Sequence, residues 1–346
     1  MKLIRFGRYV VLMLLVVGVS HGLAFSDSVV WVRSPDFSLW RETIPPSGDA
    51  VLLYGHGVGP SFLTPSPDGS HVAADSVPVG ESIGLYDTQR PGVRQTLHIK
   101  PLGQELFVGA WSRDGSGVLV SRCGADQEGL HEGIYVLKPD GHRKLVAASA
   151  AKDITCAGDA RYSPNGGYLA IQGDVWLQIV RFPESKTVMF LTGLERGLPA
   201  PTWVDDQHLV ISGMKGLQLV DIPKKEVRSM FKDDRFLAMA YSKSRGRLYA
   251  VKEGALYSIN MAAGEIDQVA LGGLQEVAKI CGVTRDGKTA IILARDPERV
   301  PSHSKSGFYR SLWAVNLDTG RHTLISDDSS VAALLPPPSD RPKQTQ

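Results

Sequence analysis

A tight turn of the Ser-Pro-Asp-Gly type recurs along the chain, each time between two short apolar segments. Proline already has the φ angle that the second turn position needs, Asp or Asn hydrogen-bonds its own backbone, and glycine adopts a positive φ at low cost. Each copy therefore predicts a β-hairpin. The clear copies span residues 66–69, 112–115, 163–166 and 284–287, and weaker copies span 204–206 and 242–246.

The spacing of these turns indicates a repeat protein. Successive turns lie roughly 40 to 50 residues apart, which is close to the period of a four-stranded propeller blade. Helical repeats of that length would show an apolar periodicity of about 3.6 residues, which is not seen. The flanking segments, such as residues 107–111 and 117–120, are instead short, apolar and rich in residues that favour strands.

The two ends of the chain together predict one more blade. Residues 29–32, 39–41 and 50–53 match the second, third and fourth strands of a blade that lacks its first strand, and residues 331–335 match that first strand. Pairing them removes the exposed edges that an open array would leave. The predicted fold is therefore all-β: a seven-bladed β-propeller of four-stranded blades, closed by pairing a C-terminal strand with three N-terminal strands. A six-bladed ring is the alternative.

The repeats resemble those of the TolB-type, WD-like β-propeller family, which is built on Pro-x-Asp-Gly turns. The resemblance rests on the turns above and covers about residues 29–335. It implies a propeller fold, and the same repeats occur both in periplasmic scaffold proteins and in the propeller domains of peptidases. TolB has an additional N-terminal domain ahead of its propeller. We expect no such domain here, so we do not assign the binding partners of TolB to this protein.

Residues 1–24 are typical of a secretory signal peptide. Three basic residues precede an apolar run over residues 9–19, and cleavage is expected after Ala24, with Ser26 as the alternative. The run is short for a transmembrane span, although an uncleaved inner-membrane anchor is the competing interpretation. We therefore expect a soluble mature protein in the periplasm or outside the cell.

Charge and composition limit the possible partners and the number of domains. The chain carries 38 basic and 36 acidic residues, so it lacks the basic excess expected of a nucleic-acid-binding protein. One propeller domain over residues 25–335 accounts for the core, and we expect a monomer. The proline-rich residues 336–346 predict a disordered tail.

Three cysteines, Cys123, Cys156 and Cys281, suggest one disulfide and one thiol in an exported protein. Cys123 follows the second strand of one predicted blade and Cys156 precedes the first strand of the next. Both positions then lie on one face, so we expect these two to pair. Cys281 falls within a first strand and is expected to be a small buried side chain. Three unpaired thiols are the alternative, because bond geometry is not visible in a sequence.

Two long loops interrupt the repeat and form the candidate binding face. They span residues 122–133 and 296–310, and each joins the second and third strands of a predicted blade, so both should emerge on the same side. The alternative is a pair of mobile, solvated loops. The candidate residues are Asp126, Glu128, His131, Glu132, Glu298, Arg299, His303, Lys305, Phe308 and Tyr309.

No catalytic motif of recognisable spacing occurs in the sequence. We therefore expect a non-enzymatic scaffold that binds an envelope or periplasmic protein or peptide, in envelope assembly or transport, without a cofactor. The alternative is a propeller hydrolase or polysaccharide-processing enzyme whose site lies at the channel mouth. In that case Asp126, His131, Glu298 and His303 would converge there around a divalent cation.

Overall fold

Antiparallel β-strands form the regular structure of the computed structural model. No helix occurs in the part of the chain that it describes, and hence none that is long and apolar enough to cross a membrane. The described residues are 27–34, 36–76, 82–99, 105–122, 132–148, 157–195, 199–213, 215–232, 235–295 and 310–336.

Most strands have four to seven residues, the length expected of apolar segments held between tight turns. The strands are β1 (Asp27–Arg33), β2 (Ser38–Ile44), β3 (Val51–Tyr54), β4 (Val58–Pro65), β5 (His71–Ser76), β6 (Ser82–Asp87), β7 (Arg94–His98), β8 (Glu105–Trp111), β9 (Val118–Arg122), β10 (Gly133–Leu137), β11 (Arg143–Ala148), β12 (Asp159–Tyr162), β13 (Tyr168–Gln172), β14 (Trp176–Arg181), β15 (Lys186–Thr192), β16 (Thr202–Trp203), β17 (His208–Gly213), β18 (Gly216–Asp221), β19 (Glu226–Phe231), β20 (Ala238–Ser242), β21 (Arg247–Lys252), β22 (Ala255–Asn260), β23 (Glu265–Gln268), β24 (Gln275–Val283), β25 (Thr289–Arg295), β26 (Arg310–Asn316) and β27 (His322–Leu335).

Twenty of these strands form five four-stranded antiparallel sheets. In chain order they are β4 to β7, β8 to β11, β12 to β15, β16 to β19 and β20 to β23, and each strand pairs with the next one along the chain. The other strands form one seven-stranded sheet in the order β24-β25-β26-β27-β1-β2-β3. A succession of four-stranded antiparallel meanders is consistent with a β-propeller.

The long strand β27 joins the two ends of the chain. Its first half pairs with β26, from His322 opposite Val315 to Ser329 opposite Arg310. Its second half pairs with β1, where Leu335 lies opposite Ser28. The three N-terminal strands thus continue a sheet that begins with β24.

Apolar side chains fill the spaces between consecutive sheets, as expected for strands covered on both faces. One cluster between the first two four-stranded sheets contains Ile83 and Phe107. The two halves of the seven-stranded sheet also face each other, because Trp31 of β1 packs in one cluster with Ile291 of β25 and Leu312 of β26. This sheet is therefore folded into two layers.

The recurrent turns close through the same hydrogen bonds in different sheets. At residues 112–115, Ser112 Oγ donates to Asp114 Oδ1 at 2.7 Å, and the same oxygen accepts the Ser116 N–H at 3.0 Å. Ser112 Oγ in turn accepts the Gly117 N–H at 3.1 Å. Gly115 has a φ of 70°, which glycine adopts without strain. The same pattern recurs around Asp68, Asn165 and Asp286.

These hydrogen bonds govern the protonation of the turn carboxylates. Partial burial on its own raises the pKa of Asp114, but the hydrogen bonds from Ser112 and Ser116 outweigh it, and the net pKa lies below the ordinary value of 3.8. A carboxylate whose pKa is lowered by folding stabilises the protein above its unfolded pKa, and this contribution is lost as the pH falls through the folded value.

We expect Asp114→Ala to lower the free energy of unfolding by about 1 to 2 kcal/mol at pH 7, because the turn loses its shared acceptor. Asp114→Asn should cost less, since Asn165 makes the same bonds as an amide in another sheet. The advantage of the wild type over Asp114→Asn should also shrink below about pH 4. Urea unfolding at pH 7 and pH 3.5 measures both effects.

Asp174→Asn is the matched control, because Asp174 is an exposed carboxylate for which the described part of the chain shows no hydrogen bond. It should leave the free energy of unfolding at pH 7 unchanged. If Asp114→Asn loses stability on acidification as steeply as the wild type, the turn carboxylate does not contribute to the acid sensitivity.

Candidate functional site

A central cavity of about 600 Å³ lies where the leading strands of the sheets meet. We call β4, β8, β12, β16, β20, β24 and residues 329–335 of β27 the first strands. The cavity is lined by these strands and by residues 199–201 and Leu237, which directly precede two of them. Ligand sites in proteins are usually concave and of this size, so the cavity is the main candidate site among the described residues.

Several of the first strands contact one another beside the cavity. β4 contacts both β8 and β27, β8 contacts β12, β16 contacts β20, and β24 contacts both β20 and β27. Tryptophan side chains link neighbouring first strands: Trp111 Nε1 donates to the carbonyl of Thr64 at 3.0 Å, and Trp203 Nε1 donates to the carbonyl of Arg161 at 3.0 Å. These two tryptophans therefore tie neighbouring sheets together.

Most of the residues that line the cavity have apolar side chains, although polar atoms make up more than half of its accessible surface. Phe62, Met239 and Leu334 contribute to it, and Leu237 lines it with 54% of its surface accessible. Because about half of its surface is accessible, this leucine lacks about half of the roughly 1.5 to 3 kcal/mol that full burial would provide. An apolar ligand that covered this side chain would recover part of that free energy.

The charged groups of the lining centre on one ion pair. Arg161 Nε lies 3.0 Å from Asp159 Oδ1, and Arg161 Nη2 lies 3.4 Å from Asp159 Oδ2. Half of the Arg161 side-chain surface stays accessible, and it faces the cavity. The negative charge of Asp159 raises the pKa of Arg161, so the guanidinium is positively charged at every physiological pH.

Lys279 and Cys281 lie on β24 and also line the cavity. Cys281 is a free thiol. Burial raises its pKa to about 11, although Lys279 and a backbone hydrogen bond from Ala332 act in the opposite direction. The prediction that Cys281 lies within a first strand is confirmed, but its side chain is only partly buried. The expected pairing of Cys123 with Cys156 falls outside the described residues.

The two long loops predicted as the binding face fall largely outside the described residues. Of their candidates only Glu132 is described, and it is half-buried directly before β10. The candidates outside the described residues are Asp126, Glu128, His131, Glu298, Arg299, His303, Lys305, Phe308 and Tyr309.

The strands that flank these loops are described, and their registers are informative. Arg122, the last residue of β9, lies opposite Glu105 at the start of β8. Arg295, the last residue of β25, lies opposite Gln275 at the start of β24. Both loops therefore leave the sheets at the end where the first strands begin, and we call this end the loop face.

An ion-pair cluster holds the strand ends at the second loop. Glu276 Oε1 accepts from Arg295 Nη1 at 2.9 Å, and Glu276 Oε2 lies 3.5 Å from Arg310 Nη2. Glu276 has a φ of 46°, which is unusual for a residue with a side chain. Sequence alone gives no sign of this cluster, since its members lie in different strands and match no motif.

Metal binding finds no support in the described residues, where no three His, Cys, Asp or Glu side chains lie close enough to hold an ion. The residues that the sequence places at an enzyme site, Asp126, His131, Glu298 and His303, lie outside that part of the chain.

No protein-family model and no curated protein matches this chain. Solved structures do match it, in 1129 chains, so the fold is widespread and does not by itself select a function. Hydrazine synthase from Kuenenia stuttgartiensis is among them, with a TM-score of 0.52 and 11% sequence identity. The match covers 84% of this chain and 89% of that one. At this identity the likeness is one of fold alone.

We expect Cys281 to react slowly with iodoacetamide in the folded protein. With a pKa of about 11, only about one thiol in a thousand is ionised at pH 8, and only the thiolate is nucleophilic. The rate should rise about tenfold from pH 8 to pH 9. Mass spectrometry of the peptide containing Cys281 measures this.

The same thiol in urea-unfolded protein is the control, and it should be alkylated quickly at pH 8. Alkylation of the folded protein at the rate of the unfolded chain would contradict the raised pKa. Peptides containing Cys123 and Cys156 should remain unmodified until a reductant is added, if these residues pair as predicted.

Proposed function

We propose that the sheets form a closed seven-bladed β-propeller. The support is the pattern of apolar clusters: seven clusters occur in the described residues, and each one joins sheets or sheet halves that follow each other in chain order. The seven-stranded sheet then contributes two blades, whose faces meet at Trp31 and Ile291. The second half of β27 serves as the first strand of the last blade.

We further propose that this propeller is exported to the periplasm and binds a protein or peptide at its loop face, in envelope assembly or transport. The observation that carries the proposal is the register of the loop-flanking strands, which brings both long loops out at the same end of their sheets. Insertions on one face of a repeat protein often mark its binding surface. The signal-like N-terminus and the resemblance to TolB-type repeats support the envelope setting by analogy.

Export is tested by the mass of the protein purified from the periplasmic fraction. Cleavage after Ala24 gives a chain that begins at Phe25, whereas cleavage at the alternative site gives one that begins at Asp27. We expect the first of these masses. A full-length chain that remains in the membrane fraction would instead support the uncleaved anchor.

Binding at the loop face is tested by photocrosslinking in intact cells. Asp174 and Glu184 are a matched pair of labelling positions, because both are exposed acidic residues next to β14. Asp174 precedes β14 at the loop face, and Glu184 follows β14 at the opposite end. A photoreactive residue at Asp174 should give a discrete crosslinked partner, and one at Glu184 should not. Deleting residues 125–131 should abolish the Asp174 crosslink without loss of the β-sheet circular dichroism spectrum.

Two outcomes contradict this proposal. Equal crosslinking from both positions would show that the loop face is not the preferred surface. A folded protein that gives no crosslink at the loop face would favour the enzyme alternative, which assay of the periplasmic protein on ester, lactone and polysaccharide substrates then tests.

A further inference from the structure

We propose that the central cavity binds a small organic carboxylate with an apolar body. The cavity lining includes residues 199–201 and Leu237 at the loop-face end of the first strands, but the inference does not rest on the proposed binding of a protein. It rests on one oriented cationic group, on the balance of charge in the lining and on the apolar surface beside them.

The oriented group is Arg161. Its Nε and one Nη2 hydrogen are taken by Asp159, which leaves three of the five guanidinium N–H donors without a partner in the described residues. The ion pair limits the rotation of the guanidinium, and the Trp203 indole holds the Arg161 backbone. A carboxylate matches the planar geometry of these donors and can accept two of them at once.

The charge balance of the lining favours a single negative charge. Among the described lining residues Arg161 and Lys279 are cationic and Asp159 is anionic, which leaves one positive charge in excess. A monocarboxylate neutralises this excess. A phosphate monoester carries about two negative charges at neutral pH and would leave the lining with a net negative charge.

The apolar body is indicated by the rest of the lining. Leu237 and Met239 lie directly before and within β20, Phe62 lies in β4 and Leu334 in β27, so apolar side chains meet the cavity from three strands. Its volume of about 600 Å³ falls within the range of small-molecule sites, roughly 300 to 1,000 Å³. Each methylene that leaves water should increase the affinity about fourfold, which corresponds to roughly 0.8 kcal/mol.

Decanoate is a suitable probe, measured by isothermal titration calorimetry on the mature protein at a concentration without micelles. We expect one molecule to bind per chain. Decanol, which lacks the charge, and acetate, which lacks the apolar body, should each bind at least tenfold more weakly. Decyltrimethylammonium, which reverses the charge, should not bind.

Three variants assign the binding to Arg161. Arg161→Gln should weaken decanoate binding at least tenfold. Arg181→Gln is the matched control, because Arg181 lies in the same sheet and pairs with an acid, Glu184, at 3.4 Å, outside the cavity lining. Asp159→Asn breaks the same ion pair as Arg161→Gln but keeps the guanidinium, so it should change the affinity less than threefold.

Two results would overturn the proposal. The first is that decanoate binds no more tightly than decanol does, and the second is that Arg161→Gln leaves the decanoate affinity unchanged. If Arg161→Gln and Asp159→Asn lose the same decanoate affinity, the ion pair only stabilises the cavity and Arg161 does not contact the carboxylate. If Arg161→Gln does not fold, Lys279→Gln replaces it, with an expected loss of at least threefold and the same control.

Discussion

One side-chain oxygen at the third position of the recurrent turn determines the geometry on which the sheets depend. In the turn at residues 112–115, Asp114 Oδ1 binds both a hydroxyl and a backbone N–H, and the same hydroxyl accepts the next N–H of the departing strand. Because these bonds fix both sides of the hairpin, the register of the first two strands is set locally. The side chains that meet between neighbouring sheets follow from that register.

Packing between sheets determines which side chains are buried and which remain accessible at the cavity. Strands two and three of each four-stranded sheet are largely buried, whereas the first strand has one edge without a strand partner in its own sheet. That edge faces the cavity, and charged residues such as Arg161 and Lys279 occur there because water or a ligand can reach them. The fourth strands are more exposed, and Leu52 and Val227 are accessible apolar residues on two of them.

The hairpins are predictable from sequence because the turn chemistry is local, and the described strands β1, β2 and β3 overlap the segments at residues 29–32, 39–41 and 50–53. The cavity is harder to predict, because its lining comes from segments far apart in the chain. Arg161 does leave a sign: a charged residue interrupts a segment that is otherwise expected to be covered on both faces. Its pairing with Asp159 follows only from strand geometry, and the Glu276 cluster leaves no sign at all.

The double pairing of β27 affects the order in which the protein can fold. Ser330 Oγ donates to the carbonyl of Val32 at 3.3 Å across 298 residues of sequence, so β1 finds its neighbour only when the chain is almost complete. Until then β1 presents an unpaired apolar edge, a feature that promotes aggregation. A protein made from its N-terminus must therefore keep its earliest strands from misassociating until its last strand arrives, and contacts this distant in sequence form slowly.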